Sequence, residues 1–153
     1  MRLALTAFTA RGAALAQALA EKLTGLGNRC MIAVPARLNL AFPTYENLGA
    51  WTGERFADCE GILFIGASGI AVRAIAPYVR DKFTDPAVVS VDETGQFAVP
   101  LLSGHVGGAN DLARTVAAMT GGRAAVSTAT DVNGKFAVDQ WAREQGFFLD
   151  GKE

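Results

Sequence analysis

The sequence has little cysteine and histidine, and its charges nearly cancel. Two cysteines, Cys30 and Cys59, and a single histidine, His105, stand among 153 residues. This composition excludes a histidine-rich metal site and a zinc knuckle, which need several such ligands close together. The 14 basic and 15 acidic residues give a formal net charge of −1. A near-neutral surface argues against nucleic-acid binding and a polybasic membrane contact, because both need an excess of cations.

Long hydrophobic runs are also missing. No apolar stretch approaches the roughly 20 residues that cross a bilayer. Arg11 interrupts the apolar residues that follow Met1, which does not fit a signal peptide. One disulfide is possible between the two cysteines, but so few cysteines in a mid-sized chain are typical of a reducing compartment. We therefore expect a cytoplasmic protein that makes no membrane contact.

The chain is rich in apolar residues. Hydrophobic residues make up 50% of it and charged residues 19%, which is enough for one core in a chain of single-domain length. Short apolar runs predict strands at residues 3–8, 30–34, 61–65, 88–91, 97–101 and 124–127. Helical patterns cover residues 12–23, 46–56, 70–80, 107–119 and 136–145. This alternation predicts an α/β fold with an open, mostly parallel sheet and helices on both faces.

Several details qualify this prediction. Pro77 lies inside a helical pattern and should kink or shorten that helix. The turn at residues 92–95 predicts one antiparallel hairpin with a solvated tip, and residues 37–44 are expected to form a loop. With no linker or repeat in the sequence, we expect residues 1–153 to form a single α/β domain.

The first of three candidate ligand-binding segments covers residues 66–73. In an open α/β sheet, ligands bind beyond the carboxyl ends of the strands, and this segment follows a predicted strand. Ser68 and Gly69 open the next helix, whose N–H groups can bind an anion, and Arg73 can pair with a carboxylate. The alternative is an ordinary strand-to-helix turn with an exposed arginine.

The second segment, residues 103–111, contains the single histidine. An imidazole exchanges a proton near neutral pH and can also ligate a metal. A lone histidine is more often structural, but the surrounding glycines favour a functional His105 because they let a ligand approach the backbone. Asn110 can cap the next helix or face a ligand. The candidate substrate-binding residues here are Ser103, Gly104, Gly107, Gly108 and Asn110.

The third segment, residues 128–135, follows the last predicted strand. Asp131 can orient the imidazole of His105 or act as a base, and Thr128, Asn133 and Lys135 are candidate substrate-binding residues. The alternative is a helix N-cap followed by a turn. We expect the three segments to converge at one edge of the sheet, with His105 and Asp131 as the catalytic pair.

The chain resembles the cobalamin-biosynthesis CbiG family in four ordered motifs. They are FIGASGIAVRAIAP at residues 64–77, DPAVV at 85–89, LLSGHVGGAN at 101–110 and TATDVNGKFAVD at 128–139. The resemblance extends over residues 61–141. It implies a hydrolase that opens the ring-A δ-lactone of cobalt-precorrin-5A and releases acetaldehyde, in the anaerobic route to vitamin B12.

This resemblance also implies the ligands and partners of the chain. The substrate would be a cobalt corrinoid fringed by acetate and propionate groups. It would carry its own cobalt, so no separate cofactor is expected. Full-length members of the family usually continue into a C-terminal domain, which this chain is expected to lack. This suggests a partner domain or subunit.

Two other functions remain open at this point. The chain could be a non-catalytic corrinoid-binding module that needs its C-terminal partner. It could also be a nucleotide-binding α/β protein, although it lacks the glycine signatures and the phosphate-loop lysine of such proteins.

Overall fold

A computed structural model describes residues 1–132 and 144–146, so the predicted helix at 136–145 lies almost entirely outside the described residues. The strands are β1 (Arg2–Ala7), β2 (Arg29–Ile32), β3 (Val34–Pro35), β4 (Thr44–Tyr45), β5 (Gly61–Ile65), β6 (Ala87–Val91), β7 (Phe97–Leu102) and β8 (Arg123–Ala124). The helices are α1 (Ala10–Gly25), α2 (Leu48–Asp58), α3 (Ser68–Ile75), α4 (Ala109–Thr120) and α5 (Ala129–Val132). Short 3₁₀ turns cover Ala36–Leu38 and Ala76–Tyr78.

Six of these strands form one mixed sheet in the order β2-β1-β5-β6-β7-β8. The first four run parallel to one another. β7 runs antiparallel to β6, with Val91 opposite Ala98 and Val88 opposite Leu102, and β8 runs parallel to β7. The predicted mostly parallel α/β sheet with one antiparallel hairpin is confirmed.

Helices cover both faces of the sheet. On one face, α1 and α4 pack against side chains of β1, β5 and β6, such as Leu5, Leu63 and Val89. On the other face, α2 and α3 pack against the alternate positions of the same strands, including Ile62 and Phe64. Every residue of β5 is buried, as expected for a parallel strand covered on both sides.

The sequence explains where several helices begin and end. The side chains of Thr9 and Asn47 accept hydrogen bonds from backbone N–H groups in the first turns of α1 and α2, which is the role of N-cap residues. α3 ends at Ile75 and continues as a 3₁₀ turn that contains Pro77. The predicted shortening at Pro77 is confirmed.

Three local predictions need correction. Residues 37–44 are not all loop, since a 3₁₀ turn ends at Leu38 and β4 begins at Thr44. The segment that starts at Thr128 was expected to connect the last strand to a helix at residues 136–145, but its first part is itself helix α5. The hairpin tip is not simply solvated, because Asp92 accepts the backbone N–H of Phe97 at 2.6 Å and Glu93 accepts the hydroxyl of Thr9 at 2.6 Å.

The last strand is shorter than predicted, and Pro100 supplies the reason. β8 covers only Arg123–Ala124, and Ala125 N donates the next ladder bond to Ala98 O at 2.9 Å. In a parallel ladder the following bond would come from the N–H at position 100, which proline lacks. The pairing of β8 with β7 therefore stops there.

No helix among residues 1–132 is long and apolar enough to cross a membrane. Cys30 and Cys59 are both free thiols, so they do not form the disulfide that the sequence allowed. Burial is the main factor that raises the pKa of Cys59 to about 12, so this thiol stays protonated and unreactive.

Candidate active site

The strand directions place two of the three predicted segments together and the third elsewhere. β7 runs antiparallel to β6, so the loop after Leu102 lies beside Val88, at the amino ends of the parallel strands. β8 runs the same way as β7 and leads α5 to that edge. We call this the amino edge of the sheet, and the opposite one the carboxyl edge.

The loop at residues 103–108 is closed tightly on itself. Ser103 has a φ of 57° and Gly108 a φ of 85°, both in the left-handed region that favours glycine. A Cβ on Gly107 would lie 2.3 Å from the Cβ of Ser103, and one on Gly104 would lie 2.8 Å from Oδ1 of Asn110. These glycines therefore let the loop fold against its own residues and the start of α4.

The His105 ring is held against the first turn of α5. Its Nε2 lies 2.6 Å from Oγ1 of Thr130 and 3.4 Å from Oδ2 of Asp131. The His105 side chain is 18% exposed and that of Asp131 is 16% exposed. The predicted proximity of His105 and Asp131 is confirmed, and the ring keeps contact with solvent.

The Asp131 carboxylate is the centre of a hydrogen-bond network. Its Oδ2 accepts the Thr128 hydroxyl at 2.6 Å and Nδ2 of Asn110 at 3.2 Å. Its Oδ1 accepts Nη2 of Arg114 at 2.6 Å. The hydrogen bond from Thr128, followed by that from Arg114, holds the pKa of this carboxyl below its usual range. Asp131 is thus an ionised anchor for the imidazole and a poor proton acceptor.

Asn110 and Thr128 support this carboxylate. Asn110 is 3% exposed, and its Nδ2 also donates to Oγ1 of Thr128 at 2.9 Å. An inverted amide would turn its oxygen toward the Asp131 carboxylate, so the network fixes this orientation. Both residues were predicted to bind substrate, but in this structure their side chains hold Asp131.

A cavity of about 400 Å³ opens beside His105 at the amino edge. Small-molecule sites commonly measure roughly 300–1,000 Å³, so this cavity falls in the lower part of that range. Of the predicted residues, His105, Gly107 and Gly108 line it. The full lining is Met1, Leu23, Leu26, Asn28, His105, Gly107, Gly108, Asp111, Leu112, Thr115 and Glu144.

The expectation that all three segments converge is wrong. Ser68 and Gly69 follow β5 at the carboxyl edge, where Oγ of Ser68 donates to Oγ of Ser90 at 3.1 Å. The five-residue strand β5 separates them from the amino edge by about 16 Å. Arg73 is exposed on α3, the helix that starts at the carboxyl edge.

The remaining predicted residues have different outcomes. Ser103 belongs to the His105 loop, and its hydroxyl donates to the backbone carbonyl of Asp85 at 3.0 Å. Asn133 and Lys135 lie outside the described residues. Within residues 1–132 and 144–146, no group of three histidine, cysteine, aspartate or glutamate side chains is arranged to hold a metal ion.

Sequence reasoning missed two residues of the network, Arg114 and Thr130. Arg114 lies one helical turn after Asn110 on α4, a spacing that places both on one face of the helix. That spacing was visible in the sequence. Thr130 had no sequence signal of its own, and only the position of α5 brings its hydroxyl to His105.

Comparisons with known proteins converge on one family. Residues 50–131 match the family described as cobalamin synthesis G N-terminal. This stretch contains the segments at residues 66–73 and 103–111 in full, and the third segment from residue 128 as far as Asp131.

Two relatives carry the same functional name. Cobalt-precorrin-5A hydrolase of Salmonella typhimurium is 44% identical over 140 residues, which are 92% of this chain and 39% of that protein. Cobalt-precorrin-5A hydrolase of Priestia megaterium is 41% identical over 98 residues, which are 64% of this chain and 26% of that protein. The chain thus spans well under half the length of these relatives.

A solved structure supports the fold. The crystal structure of a cobalamin biosynthesis protein G homologue from Sulfolobus solfataricus superposes with a TM-score of 0.66 at 22% sequence identity. The match covers 82% of this chain and 36% of that one. From these matches, the chain belongs to the cobalamin synthesis G N-terminal family.

Proposed function

We propose that this chain takes part in cobalamin biosynthesis by binding cobalt-precorrin-5A at the amino edge and opening its ring-A lactone, with release of acetaldehyde. The pairing of Asp131 with His105, whose side chain lines the cavity, carries this proposal. Support for the substrate comes from the relatives named cobalt-precorrin-5A hydrolase. The cobalt enters with the substrate, so the chain needs no metal ligands of its own.

In the proposed reaction, His105 accepts a proton from the water that attacks the lactone carbonyl. The ester C–O bond breaks, and the imidazolium returns its proton to the leaving oxygen, which leaves a carboxylic acid and a hydroxyl. When the C–C bond between the hydroxyl-bearing carbon and the macrocycle breaks, the hydroxyl loses its proton and its oxygen becomes the carbonyl oxygen of acetaldehyde. The electron pair stays on the macrocycle, which takes up a proton.

The chain's own groups have separate roles in this scheme. The Thr130 hydroxyl holds Nε2 of His105 at 2.6 Å. The Asp131 carboxylate, 3.4 Å from the same nitrogen, stabilises the imidazolium that forms, as carboxylates do for histidines in hydrolases. When Nε2 carries the proton, the ring's lone pair is on Nδ1. Ser103 and Gly104 do not line the cavity, so the candidate oxyanion donor is the backbone N–H group of Gly107, which does. Such a group is worth about 3–4 kcal/mol in well-studied hydrolases. Ser68 and Gly69 cannot share this task from the carboxyl edge.

A second candidate function is a corrinoid-binding module without activity of its own. The cavity of about 400 Å³ favours it, because this space holds only part of a macrocycle. The share of the Salmonella relative that the chain covers, 39%, favours it as well. In this function, a partner domain or subunit would complete the site.

One experiment distinguishes the two functions. The chain is titrated with cobalt-precorrin-5A by absorption spectroscopy, and acetaldehyde is then measured with and without the remaining part of the Salmonella enzyme. For the hydrolase, we expect wild type to release acetaldehyde and His105→Gln to bind substrate without releasing it. Turnover by His105→Gln at the wild-type rate contradicts the role of His105, and binding without product in every mixture supports the module.

A further inference from the structure

Arg114 links the helix beside the cavity to the Asp131 carboxylate. It lies on α4, which starts directly after the His105 loop. Its Nη2 donates to Oδ1 of Asp131 at 2.6 Å, and its Nη1 donates to Oδ1 of Asp111 at 3.1 Å. One guanidinium thus joins α4 to α5, and two donors in a rigid plane fix its direction.

The two oxygens of Asp131 have different partners. Oδ1 accepts from Arg114, whereas Oδ2 accepts from Thr128 and Asn110 and faces Nε2 of His105 at 3.4 Å. With Oδ1 held by a charged donor, the plane of the carboxylate is set. The oxygen that faces the ring therefore stays in place.

The charges around Asp131 favour its ionised form. Among the described residues, the cationic or titratable groups that face this carboxyl are Arg114 from α4 and His105 from the loop after β7. Asp111 faces Arg114 from the other side. Without Arg114, the carboxylate would lose its permanent cation and one of its two shortest hydrogen bonds.

We propose that Arg114 is a positioning residue for His105, acting through Asp131 without touching the substrate. This inference rests on the proposed function, in which His105 exchanges the proton. Arg114 keeps the carboxylate charged and turned toward the ring, so that the imidazolium forms in the right orientation.

The test compares Arg114→Gln, Arg114→Lys and the matched control Arg73→Gln, which removes the same charge from an exposed helix position at a distance. The first measurement is the pH titration of the Asp131 carboxyl, which is monitored by ¹³C NMR on the labelled full chain. Arg114→Gln should move the midpoint upward, toward the ordinary range of an aspartic acid. Arg114→Lys should move it less, because a cation remains, and Arg73→Gln should leave it at the wild-type position, since solvent and salt screen a distant charge.

The second measurement is the acetaldehyde assay. Arg114→Gln should lower kcat by about tenfold or more with little change in KM, which is part of the roughly 100- to 10,000-fold that a positioned acid–base group contributes. Arg114→Lys should recover part of this loss. Amide spectra check that each variant is folded, and Arg114→Lys serves as the informative variant should Arg114→Gln unfold.

An unchanged Asp131 midpoint in Arg114→Gln overturns the proposal, and so does an equal shift in Arg73→Gln. A raised KM with an unchanged kcat in Arg114→Gln overturns it too, because that result would make Arg114 a substrate contact. The carboxyl titration needs no substrate. Wild-type protein that releases no acetaldehyde therefore contradicts the proposed function, while the midpoint still decides whether Arg114 governs Asp131.

Discussion

The Asp131 carboxylate makes the stability of the amino edge depend on pH. Its pKa is lowered in the folded protein by the hydrogen bonds from Thr128 and Arg114. A lowered pKa means that the stabilisation is fully present above the ordinary titration range of an aspartic acid, about pH 4. The stabilisation is lost as the pH falls through the lower folded value.

Asp131→Asn should therefore lower the free energy of unfolding by about 1.5 kcal/mol at pH 7, the scale of a hydrogen bond to a charged group. The difference from wild type should shrink as the pH is lowered below about 4. Urea unfolding at several pH values measures this.

Asp111→Asn is the matched control for this prediction. Its carboxylate is 64% exposed in an ion pair with Arg114, so the loss should stay under about 0.5 kcal/mol. Equal losses for the two variants, or a loss for Asp131→Asn that does not change with pH, would show that the network around Asp131 contributes no special stability.

Gly107 tests how tightly the His105 loop is closed. A Cβ at this position would lie 2.3 Å from the Cβ of Ser103 and 2.7 Å from its carbonyl oxygen, so Gly107→Ala should destabilise the protein by about 2 kcal/mol. At Gly69 a Cβ would meet nothing within 4 Å, and Gly69→Ala should be neutral or stabilising by about 0.5 kcal/mol. Thermal unfolding measures both, and a harmless Gly107→Ala would contradict the loop geometry.

The residues of the site were only partly predictable from the sequence. His105 and Asp131 were correctly predicted to lie close together, because each follows a strand that ends on the same side of the sheet. Their catalytic role stays a prediction. The glycines were interpreted as room for a ligand, whereas Gly104 and Gly107 make room for Asn110 and Ser103. A contact of this kind depends on the path of the loop, which no local pattern specifies.

At the scale of secondary-structure elements, Thr9 connects the start of α1 to the hairpin between β6 and β7. Its hydroxyl accepts from the N–H of Gly12 at 3.0 Å and donates to Glu93 at 2.6 Å. Thr9→Ala should cost about 1 kcal/mol, which is typical for loss of an N-cap. Thr9→Ser keeps a hydroxyl and should stay close to wild type in chemical denaturation. A serine variant as unstable as the alanine variant would contradict this role.

Elements with a strong local signal were predicted well. The strand at residues 61–65 matches β5, since a continuous apolar run predicts a strand buried on both faces. α3 ends early, as Pro77 required. β8 was predicted too long, because its length depends on Pro100 in a neighbouring strand. Pairing partners are a property of the sheet, so the apolar run at residues 124–127 could not reveal this limit.

At the scale of the whole molecule, one reversal of strand direction decides where the site lies. The hairpin at residues 92–95 was predicted correctly, and it sends β7 back toward the amino ends of its neighbours. The general rule that ligands bind at the carboxyl ends of parallel strands does not extend past that reversal. Applying the rule to all three segments placed Ser68 and His105 at one edge, although they lie at opposite edges.

This separation predicts how variants at the two edges affect ligand binding. The double change Ser68→Ala with Arg73→Gln should leave the affinity for cobalt-precorrin-5A within about twofold of wild type, because these residues lie away from the cavity. Thr115→Trp adds a bulky side chain to the cavity lining from a helical position and should weaken binding at least tenfold, or about 1.4 kcal/mol. Absorption titrations measure both, with amide spectra as the check on folding. Weakened binding by the double variant at the carboxyl edge would contradict a ligand site at the amino edge.

The most direct test of the central claim maps the ligand on the chain itself. Amide and histidine NMR signals of the labelled protein are followed while cobalt-precorrin-5A is added. We expect the signals of His105, Gly107 and Asp131 to shift or broaden first, and those of Ser68 and Gly69 to stay unchanged. Changes centred on Ser68 and Gly69, with His105 unaffected, would contradict a site at the amino edge.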